Sequence, residues 1–307
     1  MSFSRRKNQD CVGLDIDGDF VAAVAVNGRT VVQAASADLA PGALKDGEVA
    51  DAGALTSALK HLFHDNGLPK RVLLGLAGQQ ITVRRIQLPQ IEDKDDREAA
   101  IRFKAEDAIP MPLEDCVLDH QLVGVTTGPE GPMTEVVVVA ARRTMIQAVV
   151  EAVRAAGLRP EGIDLNAFAL VRTLGVDGVE PDHVRVLCHL GGVTNLAIAT
   201  GAFCPFTRTL ASRSGIDGVM DADSLADEVR LSIDYYMAQP NARRVAEIVL
   251  SGPGARDDAL AQALTAQLGL PVSVAEPLGM LDTSAIVGSE DPHRHTIAAG
   301  LALGAAA

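Results

Sequence analysis

One pattern is written twice in this chain, and it limits the folds open to it. Residues 12–16 and 20–26 are apolar, β-rich runs separated by Asp17-Gly18-Asp19. Asp-Gly between two such runs predicts a tight hairpin. The pattern returns at 184–190 and 195–199, now around Gly191-Gly192. Each pair is followed by a further strand-like run, near 30–35 and at 203–210. Gly18 and Gly192 therefore hold matching places in two halves, as expected after an internal duplication.

The remaining segments extend that plan. Leu55, Ala58, Leu59 and Leu62 have helical spacing with Gly67 beyond them, and 72–77 is a short apolar run of the buried-strand type. Together they give β-β-β-α-β. The order is then interrupted. Residues 81–88 read as a strand stopped by Pro89, and Asp93, Asp95 and Asp96 mark a helix start. Ile101, Ala105, Ala108 and Ile109 share a helix face, which Pro110 closes. Strands are expected at 117–123 and 135–141. Thr144 with Gln147 reads as a capping box for a helix ending at Gly157.

A helix at 166–174 and a linker at 175–183 lead to the second half. Ser224 with Asp227 is expected to cap a helix running to about 237. A strand at 248–250 enters the turn Ser251-Gly252-Pro253-Gly254, and a helix carries Leu260, Leu264 and Leu268. After a short strand at 271–274, residues 296–303 form a helix of small residues (Ala298, Ala299, Gly300) suited to close packing. The expected division is a first domain of 10–80, 163–182 and 294–307, an inserted α/β block of 81–162, and a second domain of 183–293.

Composition narrows the function. The 307 residues are 48% hydrophobic and 22% charged, enough for two cored domains. A formal net charge of −13 opposes nonspecific binding to nucleic acid or anionic lipid. Arg5-Arg6-Lys7 is followed by Asn8-Gln9-Asp10 and not by an apolar run, so no signal peptide is expected. No apolar segment reaches the ~20 residues a spanning helix needs. Cys11, Cys116, Cys188 and Cys204 are scattered, as small buried residues of a reducing compartment would be. The seven histidines form no HExxH or comparable cluster, which argues against a zinc site.

The stretch 84–119 packs a strand, a proline turn, an acid-started helix and Ile109-Pro110-Met111-Pro112-Leu113-Glu114-Asp115 into one unit. With Gln87-Leu88-Pro89, Ala156-Gly157-Leu158-Arg159-Pro160, Asp164-Leu165, Ala167-Phe168-Ala169-Leu170, Phe206-Thr207-Arg208, 225–236 and 297–303, it resembles the PilM family, cytoplasmic actin-like proteins of type IV pilus assembly. The resemblance covers nearly the whole chain. It implies a duplicated, two-domain actin-like (ribonuclease H-like) α/β fold with an inserted subdomain.

The resemblance also implies an ATP and Mg²⁺ site between Gly-turn hairpins, whose N–H groups make an anion nest. Asp15 would order the Mg²⁺ shell. Gly18 would belong to the first hairpin, and Gly191, Gly192, Thr194 and Asn195 to the second. Gly252 and Gly254, helped by Glu228, would lie on the adenosine side. Several positions depart from the family. Its first motif reads DIGSSSVK, whereas this chain has Asp17 for the Gly, Asp19 for a small hydroxyl position and Ala22 for the Lys. His189 replaces the Asp that opens the second motif, and Pro253 removes an N–H from the third. A carboxylate ~4 Å from a phosphate costs ~1 kcal/mol in water and ~4 kcal/mol at an effective dielectric of 20. ATP binding is therefore expected to be weakened or lost, unless Asp15, Asp17 and Asp19 jointly hold a cation that admits it.

As a partner the resemblance implies the cytoplasmic tail of a PilN-like membrane protein, received in a groove beside the inserted block, with Arg84, Arg85, Phe103 and Met111 as candidate contacts. A pilus motor ATPase would be linked directly or indirectly. The chain would lie at the inner face of the cytoplasmic membrane through its partners, without inserting and without binding nucleic acid. Two alternatives stay open: an active ATPase or kinase on the same fold, and an FtsA-like filament protein. The latter would carry a basic amphipathic terminal helix, whereas this sequence ends Leu303-Gly304-Ala305-Ala306-Ala307.

Overall fold

The computed structural model describes residues 11–128, 131–175, 182–201, 203–210, 222–239, 242–256, 258–286 and 291–306. The chain opens with β1 (Cys11–Ile16), β2 (Phe20–Asn27), β3 (Thr30–Asp38), the short β4 (Leu44–Lys45) and β5 (Glu48–Val49), α1 (Ala52–Asp65) and β6 (Arg71–Leu76). There follow β7 (Ile81–Pro89), α2 (Lys94–Ala108), β8 (Cys116–Gly128), β9 (Gly131–Arg142), α3 (Arg143–Ala155), β10 (Arg159–Leu165) and α4 (Asn166–Leu174). The second half has β11 (His183–His189), β12 (Thr194–Thr200), β13 (Phe203–Leu210), α5 (Ala222–Met237), β14 (Arg244–Ser251), α6 (Asp258–Leu268), β15 (Val272–Val274) and α7 (Thr296–Ala306).

Two five-stranded sheets have one topology. The first is ordered β3-β2-β1-β6-β10 and the second β13-β12-β11-β14-β15. In each, the first three strands are antiparallel neighbours and the last two add in parallel. The matching hairpins at Gly18 and Gly192 are thus parts of matching sheets. Val184, Val186 and Cys188 of β11, with Leu190 just beyond it, pack with Leu225, Val229, Leu260 and Leu264 of α5 and α6. Leu187, on the other face, packs with α4 and with Ile297 and Leu301 of α7. Burial on both faces explains why these strands read as unbroken apolar runs. Helix α7 is apolar all round, with Ile297, Ala298, Ala299 and Leu301 fully buried, which suits a helix enclosed by neighbours.

The chain divides into two compact units, one of residues 1–78 and 149–307, the other of 79–148. The second holds the three-stranded sheet β7-β9-β8. One face of that sheet, through Leu88, Val136 and Val138, packs on Ile101 and Ala105 of α2. The Asp93 carboxylate caps α2 by accepting from the Asp95 and Asp96 N–H groups.

Some expectations differ from this picture. Strand β10, which the sequence patterns do not predict, joins the first five-stranded sheet beside β6. Pro160 and Gly162 obscure it in the sequence, but an edge strand accepts proline, and the register shifts between those two residues. Helices α3 and α5 begin at Arg143 and Ala222, so Thr144 and Ser224 lie within first turns and do not cap them. Most of the expected linker 175–183 lies outside the described residues. All four cysteines are free and buried, and burial pushes the thiols of Cys188 and Cys204 up to about 12.

His295 closes the short turn before α7 and is 1% exposed. Burial lowers its pKa from the ordinary 6.5 to about 4; the nearby Arg294 charge lowers it further, and a backbone bond at Ala35 opposes the shift. The unfolded state therefore binds the extra proton first, so the stability from the neutral ring is present above pH 6.5 and is lost as pH falls toward 4. Between pH 8 and pH 5 this loss is about 2 kcal/mol. Urea titrations of the wild type and His295→Gln should show it as a difference in pH slope. Parallel slopes would refute it.

Candidate functional site

The turns of the two matching hairpins meet backbone to backbone. A Cβ placed on Gly192 would lie 2.7 Å from Gly18 Cα, so glycine is needed for this approach. Asp17 bridges them. Its Oδ1 accepts the Gly192 N–H at 2.5 Å and, more weakly, the Asp19 N–H at 3.4 Å. Asp19 is exposed at the hairpin tip. The carboxylate of Asp17 thus occupies the N–H nest that the glycine turns create.

Beneath the turns, Asp15, Asp17 and His189 are 0%, 3% and 0% exposed. One ligand-type atom of each lies within 4.8 Å of the others. Asn166, at the start of α4, donates from Nδ2 to Asp15 Oδ1 at 3.0 Å. His189 Nδ1 lies 3.1 Å from Ser251 Oγ. Burial raises the Asp15 pKa well above the usual carboxylate range, and the Asp17 charge adds to the rise, while Asn166 opposes it. Burial lifts Asp17 to about 6 despite its backbone hydrogen bonds. Burial, helped by His293, lowers His189 to about 4. Two unit charges 4.8 Å apart repel by about 3.5 kcal/mol at an effective dielectric of 20.

The other nucleotide candidates are placed as follows. Thr194 and Asn195 are buried at the start of β12, and Asn195 Nδ2 donates to Val193 O at 3.1 Å. Gly252 has φ +90° and lies so close to Leu190 O that a Cβ would clash. The Gly254 N–H donates to that carbonyl at 2.9 Å. Pro253 has no N–H to give. Glu228 forms an ion pair with Arg208 at 2.9 Å. The structure brings Asp15, Gly18, Gly191 and Gly192 together, whereas Glu228 faces a cation on β13.

Sequence reasoning missed the partnership of His189 with Asp15. The duplication carries the signal: when Gly18 is set on Gly192, Asp15 falls on His189 and Asp17 on Gly191.

In the second unit, β7 pairs with β9 so that Arg84 lies opposite Val138 and Arg85 opposite Val137. Alternation puts Arg84 on the sheet face that packs against α2 and Arg85 on the opposite face. Arg84 donates to Val83 O at 2.9 Å, and Arg85 pairs with Glu135. Phe103 on α2 is 66% exposed, and Met111 packs against the unit's apolar core.

A doubled five-stranded sheet with facing glycine hairpins defines an actin-like ATPase-fold protein. The chain resembles the structure of a PilM–PilN type IV pilus biogenesis complex, with 26% identity and a TM-score of 0.83 over 97% of this chain and 99% of that one. It shares the fold with the ethanolamine utilization protein EutJ from Carboxydothermus hydrogenoformans, at 13% identity and a TM-score of 0.54 over 95% and 88% of the two chains. It shares it also with MreB5 of Spiroplasma citri bound to ADP, at 13% identity and a TM-score of 0.51 over 94% of each. A model of the family described as type IV pilus assembly protein PilM matches residues 13–179 and 221–306. The chain belongs to that family. Among the described residues, no helix is long and apolar enough to cross a membrane.

Proposed function

We propose that this chain is a scaffold of type IV pilus assembly. It docks the cytoplasmic tail of a PilN-like membrane protein and links it to the pilus motor, and it sits at the inner face of the cytoplasmic membrane through such partners. What carries the reading is the similarity to a PilM–PilN complex over almost the full length of both chains. The docking surface includes the unit 79–148, where Phe103 offers an exposed aromatic anchor of the kind that concentrates binding energy.

Binding of ATP is weak or absent in this reading. The residues present do not fit a phosphate group in this arrangement. Asp17 already engages the Gly192 N–H, the two turns touch, and the Gly254 N–H is spent on Leu190. The chain's groups then act as a clamp between two sheets and perform no phosphoryl transfer.

Fluorescence anisotropy with a labelled peptide of the PilN-like tail tests the docking. The full chain should bind it. Deleting 79–148 should abolish binding, and Phe103→Ser should weaken it about tenfold, the loss of one modest anchor. Affinity unchanged in both variants would overturn the assignment of that surface.

A further inference from the structure

We propose that Asp15, Asp17 and His189 form a resident site for a divalent transition-metal ion of the zinc class, beneath the paired glycine turns. Oxygen and imidazole donors together suit such a borderline cation, and three protein ligands leave a position for water.

The donors are arranged as ligands are. Asn166 holds Asp15 Oδ1, which leaves the fully buried Oδ2 with no hydrogen-bond partner. Ser251 Oγ engages His189 Nδ1, which leaves the buried Nε2 without one. The Gly192 N–H holds one oxygen of Asp17. Each donor is thus oriented through one atom, the outer-sphere arrangement that metal ligands use. Unpartnered polar atoms are costly at this depth, and Asp15 and His189 each carry one in a cluster whose ligand-type atoms lie no more than 4.8 Å apart. Donors on one zinc-sized ion, each ~2.1 Å from it, lie at most ~4.2 Å apart, so small side-chain rotations close the site. A dication also balances the charge. Among the described residues no lysine or arginine pairs with Asp15 or Asp17, and two carboxylates with one M²⁺ sum to zero.

The same three residues define a difference from nucleotide-linked Mg²⁺. Magnesium retains its waters and prefers an all-oxygen shell, whereas an imidazole favours a transition metal. Sequence spacing could not reveal such a site, because its ligands would come from the two matching halves and not from one motif. The ion would tie β1 of one sheet to β11 of the other.

The test uses the untagged full chain, stripped with a chelator and titrated calorimetrically with zinc chloride. The proposal expects one ion per chain at micromolar affinity or tighter, and visible absorption bands on loading with Co²⁺. Asp17→Asn and His189→Asn should each weaken Zn²⁺ binding at least 100-fold with an unchanged circular dichroism spectrum. If either variant fails to fold, the ring-nitrogen NMR shift of His189 in the wild type, with and without Zn²⁺, reads the same contact. No saturable site, a site undisturbed by the variants and by that shift, or equal affinity for Mg²⁺ would overturn it. The tail peptide plays no part in this test, so its outcome is separate from that of the scaffold assignment.

Discussion

Gly300→Ala is expected to lower the stability of the chain by 3 kcal/mol or more, or to leave no folded protein, the upper end of what overpacking costs. The position lies in α7, where alanine would ordinarily be favoured over glycine by about 1 kcal/mol through helix propensity. Packing opposes that preference and wins. A Cβ here would lie 2.0 Å from Ala169 O and 2.5 Å from Thr173 Oγ1. The first is backbone of α4 and cannot swing aside. Thr173 is itself fixed by bonding to Ala169 O and Thr296 O. Helix α4 would have to move, yet it packs on the second sheet through Ala169 and Leu170. On its other side α7 meets Gly13 of β1, where a Cβ would lie 2.0 Å from Ala298 O, so α7 has no free direction. The control is Gly124→Ala in β8, where a Cβ meets nothing within 4 Å. It should stay within about 0.5 kcal/mol of wild type. Urea midpoints compare the two, and a Gly300→Ala variant as stable as the control would contradict the close approach.

This helix also shows how much of the architecture is legible from residues. Ala298, Ala299 and Gly300 predict close packing because small side chains have no other structural use in such a run. The two hairpins are legible because Asp17-Gly18-Asp19 and Gly191-Gly192 each interrupt an apolar stretch, a local signal. Strand β10 was not legible, because Pro160 and Gly162 obscure it and its partner β6 is distant in sequence. In the site, Asp15 and the glycine turns could be assigned from motifs. The convergence of His189 and Asn166 on Asp15 could not, since it depends on how two sheets and α4 are brought together. Phe103 stands two residues from both Ile101 and Ala105, so helical spacing sets it opposite the face they form. Its exposure follows from which side of α2 the sheet covers.

Replacing Asp17 with glycine is expected to raise affinity for Mg-ATP tenfold or more above a wild type that binds it no better than millimolar. Three effects oppose phosphate in the wild type. The Asp17 carboxylate engages the Gly192 N–H, an anion-nest donor. In the metal-free chain, stripped with a chelator, burial lifts the Asp17 pKa to about 6, so the carboxylate is mostly ionised at pH 7.5. A charge ~4 Å from a phosphate then costs ~4 kcal/mol at an effective dielectric of 20. The turns are also held together, since Asp17 links the first hairpin to Gly192 of the second. Glycine at position 17 removes all three at once and restores the small residue that the resemblance to this family leads one to expect there. Recovery should be partial, because Ala22 supplies no cation and the Gly254 N–H remains bonded to Leu190 O. The gain is therefore set at tenfold, about 1.4 kcal/mol, well below the repulsion removed. Isothermal calorimetry at pH 7.5 measures it. Micromolar binding by the wild type would show that the turns open to admit phosphate and that Asp17 is no obstacle. An unchanged millimolar affinity in Asp17→Gly would instead place the block in the third turn, where Pro253 and Gly254 offer phosphate no free N–H.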